Sequence, residues 1–160
     1  MDVQIGNLNI VNDEKYSLSQ IRGNLNVKWR VETDNLYTLA FYDENFYLYY
    51  LAINIPNYNF SGNVLMKYML PTSSNTIYYI ILYKHNNRIP IMNIQQRENF
   101  NIDDLVEMYS LNQAFDIKFI IGRILARDDI IEYTDVPTEK TTKTQVILLN
   151  NNHNTSRNLY

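Results

Sequence analysis

The chain has 160 residues, 46% hydrophobic and 19% charged, so it is long enough to bury roughly 70% of its surface and too apolar for intrinsic disorder. Lys and Arg total 14 against 17 Asp and Glu, a net charge of −3 that lacks the positive field needed to coat a nucleic-acid backbone. With no cysteine there is no disulfide framework, thiolate nucleophile or cysteine-based zinc site, which fits a reducing compartment.

Leu25, Val27, Trp29 and Val31 alternate with Asn24, Asn26, Lys28 and Arg30, the period-two pattern of a half-buried strand. Leu36 to Asp43 and Tyr47 to Ile55 come after turn-forming segments and are apolar on both faces, which predicts central strands. Residues 56–62 read as a loop and 63–68 as a short extended segment. Pro71-Thr72-Ser73-Ser74-Asn75 is the most turn-like stretch, and Tyr78 to Lys84 returns as a strand. His85-Asn86-Asn87-Arg88 predicts a tight hairpin, with Pro90 placing the next run at a sheet edge.

One helix is expected over 102–110. Asn101 is its N-cap, Asp103 and Asp104 fill its first turn, and Ile102, Leu105, Met108 and Tyr109 share an apolar face. Phe115 to Leu125 predicts a strand with a bulge or close backbone approach at Gly122. Beyond it, Asp128 to Tyr133 suggests a short helical turn and Thr144 to Leu149 a late strand able to add to the edge of another chain. A mainly β, single domain over residues 1–149 with a polar tail over 150–160 is the expectation.

Met1 to Gly6 shows no basic segment leading into an apolar one, and the longest apolar stretch, near Tyr47 to Pro56, falls far short of the roughly 20 residues that cross a bilayer. A cytoplasmic protein without a transmembrane segment is expected, with the sequons at Asn59 and Asn154 unused. The rich Asn, Ile and Tyr usage reads as codon bias of an AT-rich genome.

Catalytic chemistry finds little support. Asp103-Asp104 is explained by the helix N-terminus, and Asp128-Asp129 are only neighbours in sequence. A metal would need His85 and His153 brought together with carboxylates, and Ser73-Ser74 has no histidine base nearby in sequence. No nucleophile elbow, P-loop or dinucleotide fingerprint is present. Neither an enzyme, a metal, another cofactor nor a nucleic-acid partner is expected. Asp43, at the end of an apolar strand, reads as a turn cap bonding its own downstream backbone, and the 14 tyrosines suit core, rim and interface packing.

The order of features resembles the phosphatidylethanolamine-binding protein (PEBP) family, which includes the Raf-kinase inhibitor proteins and plant flowering regulators. The resemblance runs from about Ser17 to Asp129. It is carried by Val27-Lys28-Trp29, Leu36-Tyr37-Thr38-Leu39 with Asp43, Ala52-Ile53-Asn54-Ile55, and Ser61-Gly62-Asn63-Val64-Leu65 with Tyr68. Tyr78 to Tyr83, Arg88-Ile89-Pro90, Arg97-Glu98-Asn99-Phe100 and Glu107-Met108-Tyr109-Ser110-Leu111 continue it.

The resemblance implies an antiparallel β-sandwich with one or two short peripheral helices and a pocket for phosphate-like head groups, built from an Asp-Pro-Asp-x-Pro segment, two histidines and a Gly-x-Gly-Pro-Pro loop. Here Asp43 matches the first Asp, Glu44-Asn45-Phe46 replaces the rest of that segment, and Tyr47 and Tyr49 stand where tryptophan and histidine are expected. Leu70 to Asn75 replaces the Gly-Pro loop, and the second histidine falls on Thr76 or Ile77. Losing two hydrogen bonds to a charged ligand removes about 3–6 kcal/mol, or about two to four decades of affinity. The resemblance therefore implies a non-enzymatic protein-interaction or structural module with a degenerate anion pocket, similar to divergent forms of large cytoplasmic DNA viruses such as poxviruses, where it would occupy the cytoplasm or virion. The alternative is a phospholipid head-group or small phosphorylated-ligand binder with a pocket rebuilt around Asp43, Tyr47, Tyr49 and Tyr78.

Overall fold

In the computed structural model, residues 1–32, 34–56 and 62–122 are described, together with the backbone of Ile130–Thr134 and Thr144–Leu148. Strands β1 (Asp2–Ile5), β2 (Leu8–Ile10) and β4 (Leu25–Lys28) form a three-stranded sheet in the order β2-β1-β4. Strands β3 (Lys15–Tyr16), β5 (Leu36–Asp43), β6 (Leu48–Ile55), β7 (Asn63–Met66), β8 (Thr76–His85) and β9 (Asn112–Ile121) form a six-stranded sheet in the order β3-β9-β8-β5-β6-β7. Helix α1 spans Ile102–Tyr109. These elements belong to one compact unit, Met1–Arg123, and Ile124–Tyr160 form a second.

The apolar faces of β5, β6 and β8 explain this layering. Tyr37, Leu39 and Phe41 of β5 join Tyr78, Ile80 and Leu82 of β8 and Phe119 of β9 in a core shared with Val3, Ile5 and Val27 of the smaller sheet. On the opposite face Ala40, Leu48, Leu51, Ile53, Ile81 and Tyr83 pack with Ile89 and with Ile102 and Leu105 of α1. The larger sheet is thus covered by strands on one side and by the helix and its approach on the other. Both long β5 and β6 runs occupy interior positions, as their two-sided apolarity requires.

Strand β6 does not alternate regularly. Its pairing with β5 shifts between Phe41↔Tyr50 and Tyr42↔Leu48, leaving Tyr49 as the extra residue, and again between Tyr37↔Ile55 and Leu39↔Ala52. Each extra residue reverses the facing of the residues after it. Tyr49 and Tyr50 therefore both contribute to the core between the sheets. At the second irregularity Asn54 adopts φ 55°. Its buried side chain bonds Ile89 as a strand would: Oδ1 accepts from the Ile89 N–H (2.8 Å) and Nδ2 donates to the Ile89 carbonyl (2.8 Å).

The helix begins at Asn101, whose Oδ1 accepts from the Asp103 N–H (3.1 Å) while Nδ2 reaches Asp104 (2.9 Å). It closes at Ser110 in the left-handed region, with Leu111 N–H bonded to the Val106 carbonyl (3.0 Å). The helix thus stops one residue short of the predicted span. Met108 corrects the expected apolar face: it lies on the open side of the helix, 70% exposed.

The segment after β8 also departs from expectation. Residues 86–101 contain no strand, and the predicted hairpin at 85–88 with an edge strand at Pro90 does not form. Both edges of β8 are already taken by β5 and β9. His85 is buried, with Nδ1 donating to the Asn87 carbonyl (2.8 Å) and Nε2 accepting from the Thr38 hydroxyl (3.0 Å). The predicted 115–125 strand starts earlier, at Asn112, and its regular part ends at Ile121. Its pairing shift lies between Leu82↔Phe115 and Tyr83↔Gln113 rather than at Gly122, where an added Cβ would meet only side-chain atoms, chiefly the movable end of Lys15.

In the second unit, β10 (Ile130–Thr134) pairs antiparallel with β11 (Thr144–Leu148). The helical turn expected at 128–133 is a strand from Ile130 on, as its Ile, Tyr and Thr content favours. Asp128-Asp129, His153, both sequons and the 150–160 tail lie outside the described residues.

Replacing Asn54 by Ala leaves the Ile89 amide unsatisfied and puts a Cβ residue without local polar bonding in the left-handed region. A loss of about 2–4 kcal/mol is expected from urea unfolding, with Asn54→Gly roughly 1 kcal/mol milder because the backbone term disappears. Equal stability of wild type and Asn54→Ala would show that the Asn54–Ile89 clasp is not a stabilising feature.

Candidate functional site

The four residues nominated from sequence come together at the end of β5. Asp43 ends the strand with its side chain almost fully buried. Its Oδ1 accepts from the backbone N–H groups of Asn45 (2.9 Å) and Tyr47 (3.0 Å), and its Oδ2 accepts from the Tyr49 hydroxyl (3.1 Å). The turn-cap reading is correct for the first oxygen. The second oxygen is held by a side chain from β6, brought within reach because Tyr49 is the extra residue in that strand.

Tyr47 and Tyr49 lie with ring centroids 5.1 Å apart, and Tyr49 meets Tyr78 edge-on at 5.4 Å. Tyr78 pairs with Asp43 across the β5–β8 ladder. It is wholly buried, so it supports the site from beneath and forms no part of its open lining. Its hydroxyl donates to the Ser73 carbonyl (2.8 Å), fixing the 71–75 loop over the strand ends.

A cleft of about 470 Å³ opens here, lined by Asp43, Asn45, Tyr47, Tyr49, Thr72, Ser73, Glu98 and Asn99. Its walls come from the β5–β6 turn, the 71–75 loop and the approach to α1. Arg97 binds them together, because its guanidinium donates to the carbonyls of Leu48 (2.9 Å), Tyr49 (3.2 Å) and Lys67 (2.8 Å). Leu48 N–H donates back to the Arg97 carbonyl (2.8 Å), and Phe100 N–H to that of Phe46 (2.9 Å). Arg97, Glu98 and Asn99 belong to a segment that carries the family resemblance but are not among the nominated site residues, because nothing in the local pattern places them opposite Asp43.

Among the described residues, no Lys, Arg or His lines this cleft. His85, the one described histidine, is tied into the core between Thr38 and Asn87. Among the described residues no group of three or more His, Cys, Asp or Glu comes together, and no helix is long and apolar enough to cross a membrane. Burial pushes the Tyr49 hydroxyl above its ordinary range, helped by its hydrogen bond with Tyr78 and by the negative charge of Asp43. Burial raises Tyr78 as well.

No protein-family model matches the sequence, and no curated protein matches it. Among solved structures the fold is similar to that of carboxypeptidase Y inhibitor, as seen in complex with its cognate proteinase. The TM-score is 0.62 and the identity 13%, over 76% of this chain and 82% of that one. That inhibitor has the PEBP fold, and this chain is a mainly β protein of PEBP-like fold with a single short helix among the described residues.

Two consequences can be measured. Tyr49→Phe removes one hydrogen bond to a buried carboxylate and is expected to cost about 1.5–3 kcal/mol in urea unfolding; an unchanged midpoint would mean that the bond contributes nothing. Burial also raises Tyr42 and Tyr68 to about 12, and Tyr50 and Tyr83 in the same direction. The folded state then keeps these protons where the unfolded chain loses them. Their stabilisation is complete below about pH 10 and is lost as pH rises toward 12. Ultraviolet titration should show a late ionisation step coincident with loss of far-ultraviolet circular dichroism. Smooth ionisation of all 14 tyrosines without unfolding would contradict this.

Proposed function

We propose that the chain is a non-enzymatic, protein-binding module on a PEBP-like scaffold, in which the pocket around Asp43, Tyr47, Tyr49 and Tyr78 has lost recognition of phosphate-like anions. One observation carries the reading: the cleft at that place presents two carboxylates, Asp43 and Glu98, and no cationic side chain among the described residues of its lining. An anionic head group entering it would meet like charge without compensating donors of positive charge. Among the described residues, the hydroxyls of Thr72 and Ser73 share the cleft with no histidine, which supports a role other than nucleophilic catalysis. The neighbour of similar fold is an inhibitor complexed with a proteinase, which supports binding of a protein partner as a use of this scaffold.

A thermal-shift titration with phosphate, glycerol phosphate and a short-chain phosphatidylglycerol, anionic probes without an amine, tests the anion half of the reading. A ligand with a Kd of about 0.1 mM, added at about 10 mM, would stabilise the fold by about 2.7 kcal/mol, or roughly 5–11 °C. The expected result is no saturable shift in either wild type or Asp43→Ala. A saturable rise that disappears in Asp43→Ala would establish the phospholipid head-group reading instead. Affinity capture with tagged full-length chain from its native cell tests the protein half, and failure to recover any stoichiometric protein would remove it.

A further inference from the structure

Asp43 combines deep burial with access to the cleft: it is 3% exposed, yet belongs to the lining. Among the described residues, Oδ1 receives two N–H groups and Oδ2 receives only the Tyr49 hydroxyl. A carboxylate has about four acceptor positions, so one on Oδ2 is left. The ion pairs among the described residues are Lys84–Glu32 and Lys118–Asp13, neither of which involves Asp43 or Glu98. Arg97, adjacent to the cleft wall, has its guanidinium committed to three backbone carbonyls. A buried carboxylate without a countercharge favours entry of a cation.

The remaining lining specifies which cation. Glu98 on the facing wall adds a second, exposed carboxylate, and Asn45, Thr72, Ser73 and Asn99 offer neutral acceptors. Tyr47 and Tyr49 provide an aromatic wall for an aliphatic stem beside a positive head. A guanidinium is matched to a carboxylate with both oxygens free, but Asp43 has one open position. An ammonium, a compact charge with three donors that can point to different acceptors, fits this arrangement better.

We propose that the cleft receives a primary ammonium group, that of a lysine side chain presented by a protein partner, with Asp43 Oδ2 and Glu98 as its anionic contacts and Tyr47 and Tyr49 along its stem. The inference rests on the protein-binding reading above and names the chemistry of the group that docks.

The test is a two-dimensional NMR titration of the full chain with Nα-acetyl-lysine methylamide, its Nε-acetylated form and the arginine counterpart. The free-amine probe is expected to shift the resonances of Tyr47, Tyr49 and Glu98 saturably, with a Kd in the range of about 1–10 mM. Acetylation of the amine should abolish the response, and arginine should bind several-fold more weakly. Glu98→Gln, a change at an exposed position that leaves the fold intact, should weaken binding about three- to tenfold, and high salt should do the same. Asp43→Asn should weaken it further where that variant folds. Equal responses to free and acetylated lysine, or no saturable response below about 50 mM, would overturn the ammonium assignment and leave the protein-binding reading standing. Saturable phosphate binding at the same resonances would overturn both.

Discussion

A six-stranded sheet that is apolar on both faces has to be covered twice, and the rest of the fold depends on this. The smaller sheet covers one face through Val3, Ile5 and Val27, while α1 and Ile89 cover the other. The cover on the second face is attached through polar side chains from β6 and the approach to α1, with Asn54 gripping the Ile89 backbone and Arg97 gripping three carbonyls. The Asn54 attachment satisfies Ile89 backbone groups that would otherwise be buried without partners, while Arg97 serves two part-buried carbonyls and one exposed one. The same attachments place residues 97–99 opposite the end of β5, so the cleft is a product of the way the sheet is covered.

The irregular pairing of β6 links packing to site geometry. In a regular strand Tyr49 and Tyr50 would face opposite sides; with Tyr49 as an extra residue both face the core between the sheets. The Tyr49 hydroxyl is then delivered to Asp43 Oδ2, and Tyr78, one strand further on, packs against Tyr49 from below. Three elements thereby converge on one buried carboxylate.

Legibility in the sequence depends on range. Strands β5, β6 and β8 are visible because their apolar runs and turn-forming boundaries are local, and α1 because Asn101 and two aspartates mark its start. The proximity of Asp43, Tyr47, Tyr49 and Tyr78 is available only through the resemblance, since the register joining β5 to β6 and β8 is not local. Strand β3, two residues long, has no period to detect. The β1–β2 hairpin does carry a local signal, absent from the expectations above: Gly6-Asn7 separates Val3 and Ile5 from Leu8 and Ile10, and Gly6 takes the φ of 61° required at the first position of such a turn. Asparagine, too, is more than compositional drift. In a chain with four glycines, Asn54, Asn75 and Asn99 occupy left-handed positions, as do Asp13 and Asp34, where a short polar side chain is the next most tolerated choice.

The charge of the cleft bears on the ligands that such a scaffold can accept. The hydrogen bonds that hold Asp43 come from the chain's own turn and from Tyr49, so the carboxylate has a structural role whatever enters the cleft. The described lining holds two carboxylates, Asp43 and Glu98, and no cationic side chain, the opposite of the charge balance that a phosphate requires. On the reading proposed above, preserving the turn constrains the ligand: as long as Asp43 caps β5 and the described walls carry no positive side chain, a cationic group is favoured over an anionic one. The acid and the turn cannot be varied independently, since removing Asp43 also releases the two N–H groups of the turn that forms the cleft wall.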